Sequence, residues 1–487
     1  MNFYSSYYFI FLTTIVILYF LLPGRFRWIL LLCGSYYFYA GFSTKCLALL
    51  VIATLVAYFS ASGIGEGAVQ TKRRKLLIVN IVFNLSLLFV FKYFNFFNNL
   101  LAGAALTFDL PYAVPSLSLT IPIGISFYTF LLLSYLVDIY RGDIVPERHI
   151  GRFALHVAFF PKILAGPIER TKTFLPQLYE NHQFDWTRVT DGIKLLVWGL
   201  FKKVVIADRL ANFVDIVYAN PSEHNGISLT MATIFYAFQI YCDFSGYTDI
   251  AIGSSQILGF RLMDNFNRPY SATSISEFWR RWHISLSTWL RDYLYIPLGG
   301  SHVSLARNCL NIMIVFFVCG LWHGANWTFV AWGLIHGFYL VLSRLTAKSR
   351  EKLRVATGLN DSPKVLKYTR IFTTFFLVAF AWIFFRANTM SDALFVVSHL
   401  FSGWGDLFQP VRLEQALFLG LAKIELIITT ASLLFLLFVH CIEKHGETRQ
   451  LFSRKPLCLR WALYYVMVIG ILLLSVSGSD KFIYFQF

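Results

Sequence analysis

Charge is what this chain has least of: Asp, Glu, Lys and Arg supply 14% of its 487 residues, while 57% are apolar and 18% aromatic. Soluble domains carry about 25% charged residues. That shortfall excludes a soluble multidomain enzyme, a fibre and a disordered chain, and leaves an integral membrane protein. A crossing takes about 20 apolar residues, so half of the chain suffices for about eleven or twelve helices. Cysteine is also scarce: seven are scattered through the chain, mostly in apolar stretches, without a C-x-x-C pair. No His-rich cluster accompanies them, so buried free thiols are expected and no metal. Glycine-rich phosphate loops of the Walker or Rossmann kind are absent, as are repeats and low-complexity linkers, and the chain reads as one membrane-embedded domain.

The charge that remains is lopsided, with a formal net of +16. In a polytopic chain excess Lys and Arg collect in cytoplasmic loops, so the excess is read as topology and no nucleic-acid partner is expected. Uncharged windows run over residues 2–24, 28–44, 46–65, 76–91 and 110–137. Arg25 and Arg27 follow the first, Lys72 to Lys75 the third, and Arg141, Arg148 and Arg152 the fifth. This alternation, with further basic blocks from Arg344 to Arg370 and from Lys444 to Arg460, predicts both termini on the outer face. The apolar run Phe3–Leu22 has no basic residue before it and no small-residue cleavage site after it, which predicts a first spanning helix and not a removable signal.

Between residues 150 and 310 the apolar pieces are short and interrupted by Lys162, Arg170, Lys194, Asp208, Asp243, Asp249 and Arg281. Ionisable groups at membrane depth persist only against protein or a water-filled cavity, so broken or re-entrant helices are expected here. Phe160-Pro-Lys-Ile-Leu-Ala-Gly-Pro-Ile-Glu-Arg170 cannot form a continuous helix, because two prolines and a glycine interrupt it. Lys162, Glu169 and Arg170 there either face a polar ligand or close a local ion pair. The aspartates of Tyr241-Cys-Asp-Phe-Ser-Gly-Tyr-Thr-Asp249 are either functional or paired structurally with Arg268 or Arg281, the second reading being preferred. Residues Ser274 to Tyr293 read as one amphipathic helix, with a capping box of Ser274 and Glu277 and a stripe of Trp279, Trp282, Leu286, Trp289, Leu290 and Tyr293. Its Trp and Arg content predicts a helix at the cytoplasmic interface, with Arg280 and Arg281 as a rim for a phosphate-bearing substrate. His283 lies at the edge of the stripe, able to face a chamber.

Residues 308–343 contain no Asp, Glu, Lys or Arg. One helix of that length would reach about 54 Å, too long for a single crossing. Glycines flank Trp322-His323 in Gly320-Leu-Trp-His-Gly-Ala-Asn-Trp327, which predicts a break there and two half-helices meeting inside the membrane. A neutral imidazole at such a junction offers a lone pair to a hydroxyl acceptor as general base. The alternative is a packing histidine bonded to a carbonyl or to Asn326, and His336 is read as a packing residue.

In this order, the motifs Pro161–Arg170, Tyr241–Ala251, Asn265-Phe-Asn-Arg-Pro-Tyr270, Glu277-Phe-Trp-Arg-Arg-Trp-His283, Leu321-Trp-His-Gly324 and the closing Phe482–Phe487 make a pattern that resembles the membrane-bound O-acyltransferase family. The resemblance covers nearly the whole chain and points to the bacterial branch that acetylates alginate, cellulose or peptidoglycan. It implies an all-α fold of tilted helices around a central funnel, with N-terminal spanning helices over 1–150, a catalytic core over 151–345 and C-terminal spanning helices over 346–487. It further implies His323 as the acyl-transfer histidine, His283 as its support and Asn265 as a polar helper; Trp322, Asn326, Arg280, Arg281 and Lys162 are read as substrate-binding residues. Acetyl-CoA is the implied acyl donor, with membrane lipid around the chain. The implied setting is the bacterial inner membrane, within a polysaccharide biosynthesis complex. Nothing in the chain resembles a Gly-Asp-Ser hydrolase module, so a periplasmic acetyltransferase partner is expected to complete the transfer. Rival readings are a D-alanyl relay of the same family, a glycan or lipid-linked sugar transporter, and a purely structural member of a synthase complex.

Overall fold

The computed structural model describes residues 2–65, 69–357, 362–443, 455–476 and 482–483. The basic residues between 444 and 454 and the closing residues 484–487 lie outside it. Within hydrocarbon each backbone polar group must be satisfied inside its own segment, which favours helices. The described residues are mainly helical, with no strand among them. Eight of their helices are long and apolar enough to cross a membrane: Thr44–Gly65, Gln70–Thr107, Gly226–Leu258, Leu305–His323, Trp327–Leu345, Pro363–Arg386, Lys423–Ile442 and Leu457–Leu474. Ser6–Leu21 is a shorter apolar helix of 16 residues. The chain is thus an all-α polytopic membrane protein. Its residues form two compact units, Met1–Leu196 with Ile250–Asp264, and Val197–Asp249 with Asn265–Phe487.

In the first unit the uncharged windows become the helices Ser6–Leu21, Gly24–Ala40, Thr44–Gly65 and Gln70–Leu88, the last continuing through a π-helical turn at Phe89–Tyr93 into Phe94–Thr107. The window 110–137 is helical only from Ile125, in the helix Ile125–Arg141. Pro111, Pro115 and Pro122 explain the difference, since each removes an amide donor and fixes φ. The expected interruption after Ile150–Ala158 is present: Phe159–Glu169 is non-helical yet buried throughout. Ser35 Oγ accepts the Phe160 amide at 3.0 Å, and the turn closes so tightly at Gly166 that a Cβ there would stand 2.4 Å from Lys162 Cα. Such contacts are how a buried irregular segment meets its backbone requirement.

The second unit is organised by a helical hairpin, Leu305–His323 and Trp327–Leu345. Each arm has 19 residues, about 28 Å of rise. That nearly matches a bilayer's ~30 Å hydrocarbon core, so the expected half-helices are in fact two full spans, and the break lies at residues 324–326. Glycine makes the hairpin close. A Cβ on Gly320 would stand 2.4 Å from the Phe329 carbonyl oxygen, and one on Gly333 2.2 Å from that of Phe316. Where lipid removes any hydrophobic drive for helices to associate, such small-residue contact is what holds them.

Candidate active site

The predicted helix Ser274–Tyr293 is two helices, Ile275–Arg281 and Ile284–Leu290, followed by a π-helical turn Arg291–Tyr295. The break falls at His283, which adopts φ 41° and ψ 56°, a left-handed conformation. For a residue with a side chain that costs about 1–2 kcal/mol. The stretch after Asp264 compensates it: Asn265 O accepts the Ile284 amide at 2.9 Å, and the Asn267 amide donates to Arg281 O at 2.9 Å. At the front of the helix, Ser274 Oγ caps the Glu277 amide, but Glu277 Oε2 reaches back to the amide and hydroxyl of Thr273 and not to Ser274. The apolar stripe is packed in protein, which corrects the interfacial expectation: Trp282 is 1% exposed and stands 5.0 Å from Trp382. Arg280 is exposed, and Arg281 Nη2 pairs with Glu277 Oε1 at 2.5 Å.

Asn265 and His283 are both buried. Asn265 Oδ1 accepts the Ser285 hydroxyl at 2.7 Å and the Ser285 amide at 3.2 Å, and His283 Nδ1 lies 3.2 Å from the same oxygen. The imidazole meets the Phe244 ring edge-on at 4.8 Å and the Trp322 indole at 5.8 Å. Burial pushes its pKa well below the ordinary histidine value, so the ring is neutral at pH 7. On the Leu305–His323 helix, Trp322 contacts the ring of His323 at 4.9 Å. His323 is the last helical residue, 4% exposed, with Trp332 at 5.0 Å and Phe385 at 5.1 Å on its other sides. Trp322 thereby connects two buried imidazoles through edge-on aromatic contacts. Trp332, Phe385 and Ser285 were not singled out from the sequence. Ser285 alone had a signal, standing two residues after His283 within the stretch Ser274 to Tyr293.

The other predicted residues are spread more widely. Asn326 caps the second hairpin arm, its Oδ1 accepting the Thr328 amide at 3.1 Å while Nδ2 donates to Asn388 O at 3.1 Å. His336 packs as expected, accepting from Trp279 Nε1 at 3.3 Å and stacking on Phe278. Asp243 and Asp249 are paired structurally, yet with neither Arg268 nor Arg281. Lys203 lies 2.6 Å from Asp243 and 2.7 Å from Asp208, and Lys202 lies 2.8 Å from Asp249. Both lysines stand on the π-helical turn Phe201–Ala207, whose wider winding presents two adjacent lysines to the buried helix Gly226–Leu258. Lys162 belongs to the first unit, where its Nζ is 3.5 Å from His156 Nδ1 and over the Phe174 ring at 4.1 Å, while Glu169 Oε1 accepts the Met263 amide. Among the described residues no group of His, Cys, Asp and Glu is placed to hold a metal ion.

A polytopic helical protein with aromatic-walled imidazoles in its interior has the equipment for proton transfer away from bulk water. The model of the membrane-bound O-acyltransferase family matches residues 149–373, a span that includes Asn265, His283, Trp322 and His323. The chain is 37% identical to "Probable alginate O-acetylase AlgI" of Pseudomonas putida over 98% of both chains. It is 40% identical to the protein of that name in Pseudomonas aeruginosa over 81% of this chain and 73% of the other. With the peptidoglycan O-acetyltransferase of Helicobacter pylori it shares 32% over 94% of this chain and 91% of the other. The chain belongs to the membrane-bound O-acyltransferase family. It is an O-acyltransferase embedded in a membrane by several passes.

Proposed function

We propose that this enzyme takes an acetyl group from acetyl-CoA at the cytoplasmic face and passes it across the bacterial inner membrane for O-acetylation of an extracytoplasmic polysaccharide such as alginate, cellulose or peptidoglycan. The observation that carries the reading is the pairing of His323 and His283 about Trp322, buried beside Asn265 within the residues matched by the family model. High-coverage likeness to an alginate O-acetylase and a peptidoglycan O-acetyltransferase supports acetyl as the acyl group and a glycan as its destination.

In this reading His323 takes the proton from the acceptor hydroxyl as its oxygen attacks the thioester carbonyl. The new C–O bond forms, the C–S bond breaks, and the departing thiolate recovers that proton. His283 supports this site, while Trp322, Arg280 and Arg281 lie on the substrate side. A periplasmic acetyltransferase in a polysaccharide biosynthesis complex completes the transfer, and both termini face outward. The test is coenzyme A release from labelled acetyl-CoA by the full chain in liposomes, wild type against His323→Ala. Release that disappears in the variant at equal folded protein supports the reading. Equal release by both would overturn the role of His323, and failure of the wild type to release coenzyme A even in membranes holding the partner proteins would remove acetyl-CoA as donor.

A further inference from the structure

We infer that Asn265 is a positioning residue that locks His283 in the Nδ1–H tautomer and places the lone pair of the ring on Nε2. One group in this cluster has no choice of role. A backbone amide can only donate, and the Ser285 amide points at the Asn265 side chain at 3.2 Å. The atom facing it must therefore be the amide oxygen, because the flipped orientation would set two N–H groups against one another. The Ser285 hydroxyl then spends its hydrogen on that oxygen at 2.7 Å, the shortest of the contacts in this group. His283 Nδ1 reaches the same Oδ1 at 3.2 Å, whereas its approach to Ser285 Oγ is 3.5 Å. An oxygen without hydrogen faces Nδ1, so Nδ1 must carry the proton. Two lone pairs shared among three donors make a crowded acceptor, and the left-handed backbone of His283 is the conformation that brings the ring to it.

The amide nitrogen of Asn265 stays buried with no hydrogen-bond partner among the described residues. An orphaned buried donor is costly, and one retained in a native interior calls for a reason such as a catalytic role or a bound water or ion. Asn265 thus orients the imidazole with one end of its amide and keeps a donor available with the other. Among the described residues, the Phe244 and Trp322 side chains also stand against the ring. Ionisable groups come one step further out: His323 across Trp322, and the Lys203–Asp243 pair next to Phe244 in sequence. The Asn265–Ser285 pair faces Nδ1 directly, and its acceptor oxygen is what sets the tautomer.

The use of this tautomer in catalysis rests on the acyl-transfer reading, but the tautomer itself does not, and the experiment separates the two. Full-length protein labelled with ¹⁵N and ¹³C in histidine is placed in lipid bilayers, and solid-state spectra identify His283 by the signals lost in His283→Gln. Correlation of Nδ1 with ring Cγ is expected to show the proton on Nδ1 in wild type, kept in Asn265→Asp and lost to a mixture of tautomers in Asn265→Leu. A wild-type ring protonated on Nε2 overturns the inference, as does an Asn265→Leu spectrum identical to wild type. Asn265→Asp keeps every acceptor contact, guards against misfolding as the explanation, and adds a carboxylate that stabilises the imidazolium. It is therefore expected to raise the pH at which the His283 ring takes its second proton by one unit or more, read from the same ¹⁵N signals. An unmoved titration of that ring overturns the positioning role. An Nδ1–H ring in a protein that transfers no acyl group overturns the acyl-transfer reading and leaves the tautomer standing.

Discussion

Replacing Gly320 with Ala tests whether the hairpin sets the position of His323. The added methyl carbon would start 2.4 Å from the Phe329 carbonyl oxygen, 3.1 Å from its carbon and 3.2 Å from Val330 Cα, all backbone atoms that no rotamer change can move. Real Cβ atoms seldom come closer than 3.0 Å to such a neighbour, so the arms must part by at least ~0.6 Å, and by about 1 Å to restore ordinary contact. Gly320 stands one helical turn before His323, so the displacement reaches the imidazole nearly undiminished. Overpacking of this kind costs about 1–3 kcal/mol of stability. A misplacement near 1 Å costs about 100-fold in rate, equivalent to ~2.7 kcal/mol of barrier. The expected outcome is a protein that still inserts and folds, with a slightly lower thermal midpoint and kcat for acyl transfer reduced about 100-fold. Gly333→Ala, whose Cβ would stand 2.2 Å from Phe316 O, is expected to behave alike. Gly103→Ala is the control, since nothing lies within 4 Å of its Cβ. Turnover per folded molecule in liposomes measures the effect, and wild-type kcat in Gly320→Ala would refute the argument.

Two further outcomes concern the charges around the site. Asp243→Asn leaves Lys203, 2% exposed, with Asp208 as its remaining carboxylate contact in this network, and breaking a buried pair costs about 3–5 kcal/mol. The thermal midpoint in detergent should fall sharply and recover in part when Lys203→Met is added; a midpoint unchanged by Asp243→Asn would show that the pair contributes nothing. Burial raises the pKa of Glu277, but the hydrogen bonds from Thr273 and Arg281 outweigh it and hold the carboxyl below its ordinary value. Its contribution is fully present above the unfolded value of about 4.3 and disappears as pH falls through the lower folded value. Wild type should therefore lose more stability than Glu277→Gln between about pH 6 and about pH 3.5, and parallel losses would contradict the sign.

What the sequence made legible follows the range of each signal. Uncharged windows, proline interruptions and the glycines flanking Trp322-His323 are local, and they located the spans, the buried turn after Phe159 and the hairpin break. The length of the hairpin arms was misjudged because the uncharged window 308–343 begins and ends inside them, at Asn308 and Ser343. The partners of Asp243 and Asp249 were misassigned for a different reason. Lys202 and Lys203 lie about forty residues upstream, and a π-helical turn that aims adjacent lysines at the same buried helix leaves no mark in periodicity. The break at His283 was equally silent, since neither Gly nor Pro occurs there and the stripe continues in register across it.

Both candidate histidines sit at helix ends, and this explains which of their polar neighbours remain available to a substrate. A helix that stops inside a membrane protein exposes amides and carbonyls that must find partners, so nearby polar side chains are first drawn into satisfying backbone. Both polar atoms of Asn326 are engaged in that task, the oxygen on the Thr328 amide and the nitrogen on Asn388 O. At the His283 break the Asn265 and Asn267 backbones do most of this work through Ile284 and Arg281, while the Asn265 oxygen serves the Ser285 amide and the ring. Its amide nitrogen is left over. Of the two asparagines that the sequence brought forward, Asn265 is therefore the one whose amide nitrogen keeps both of its N–H groups beside the His283 imidazole.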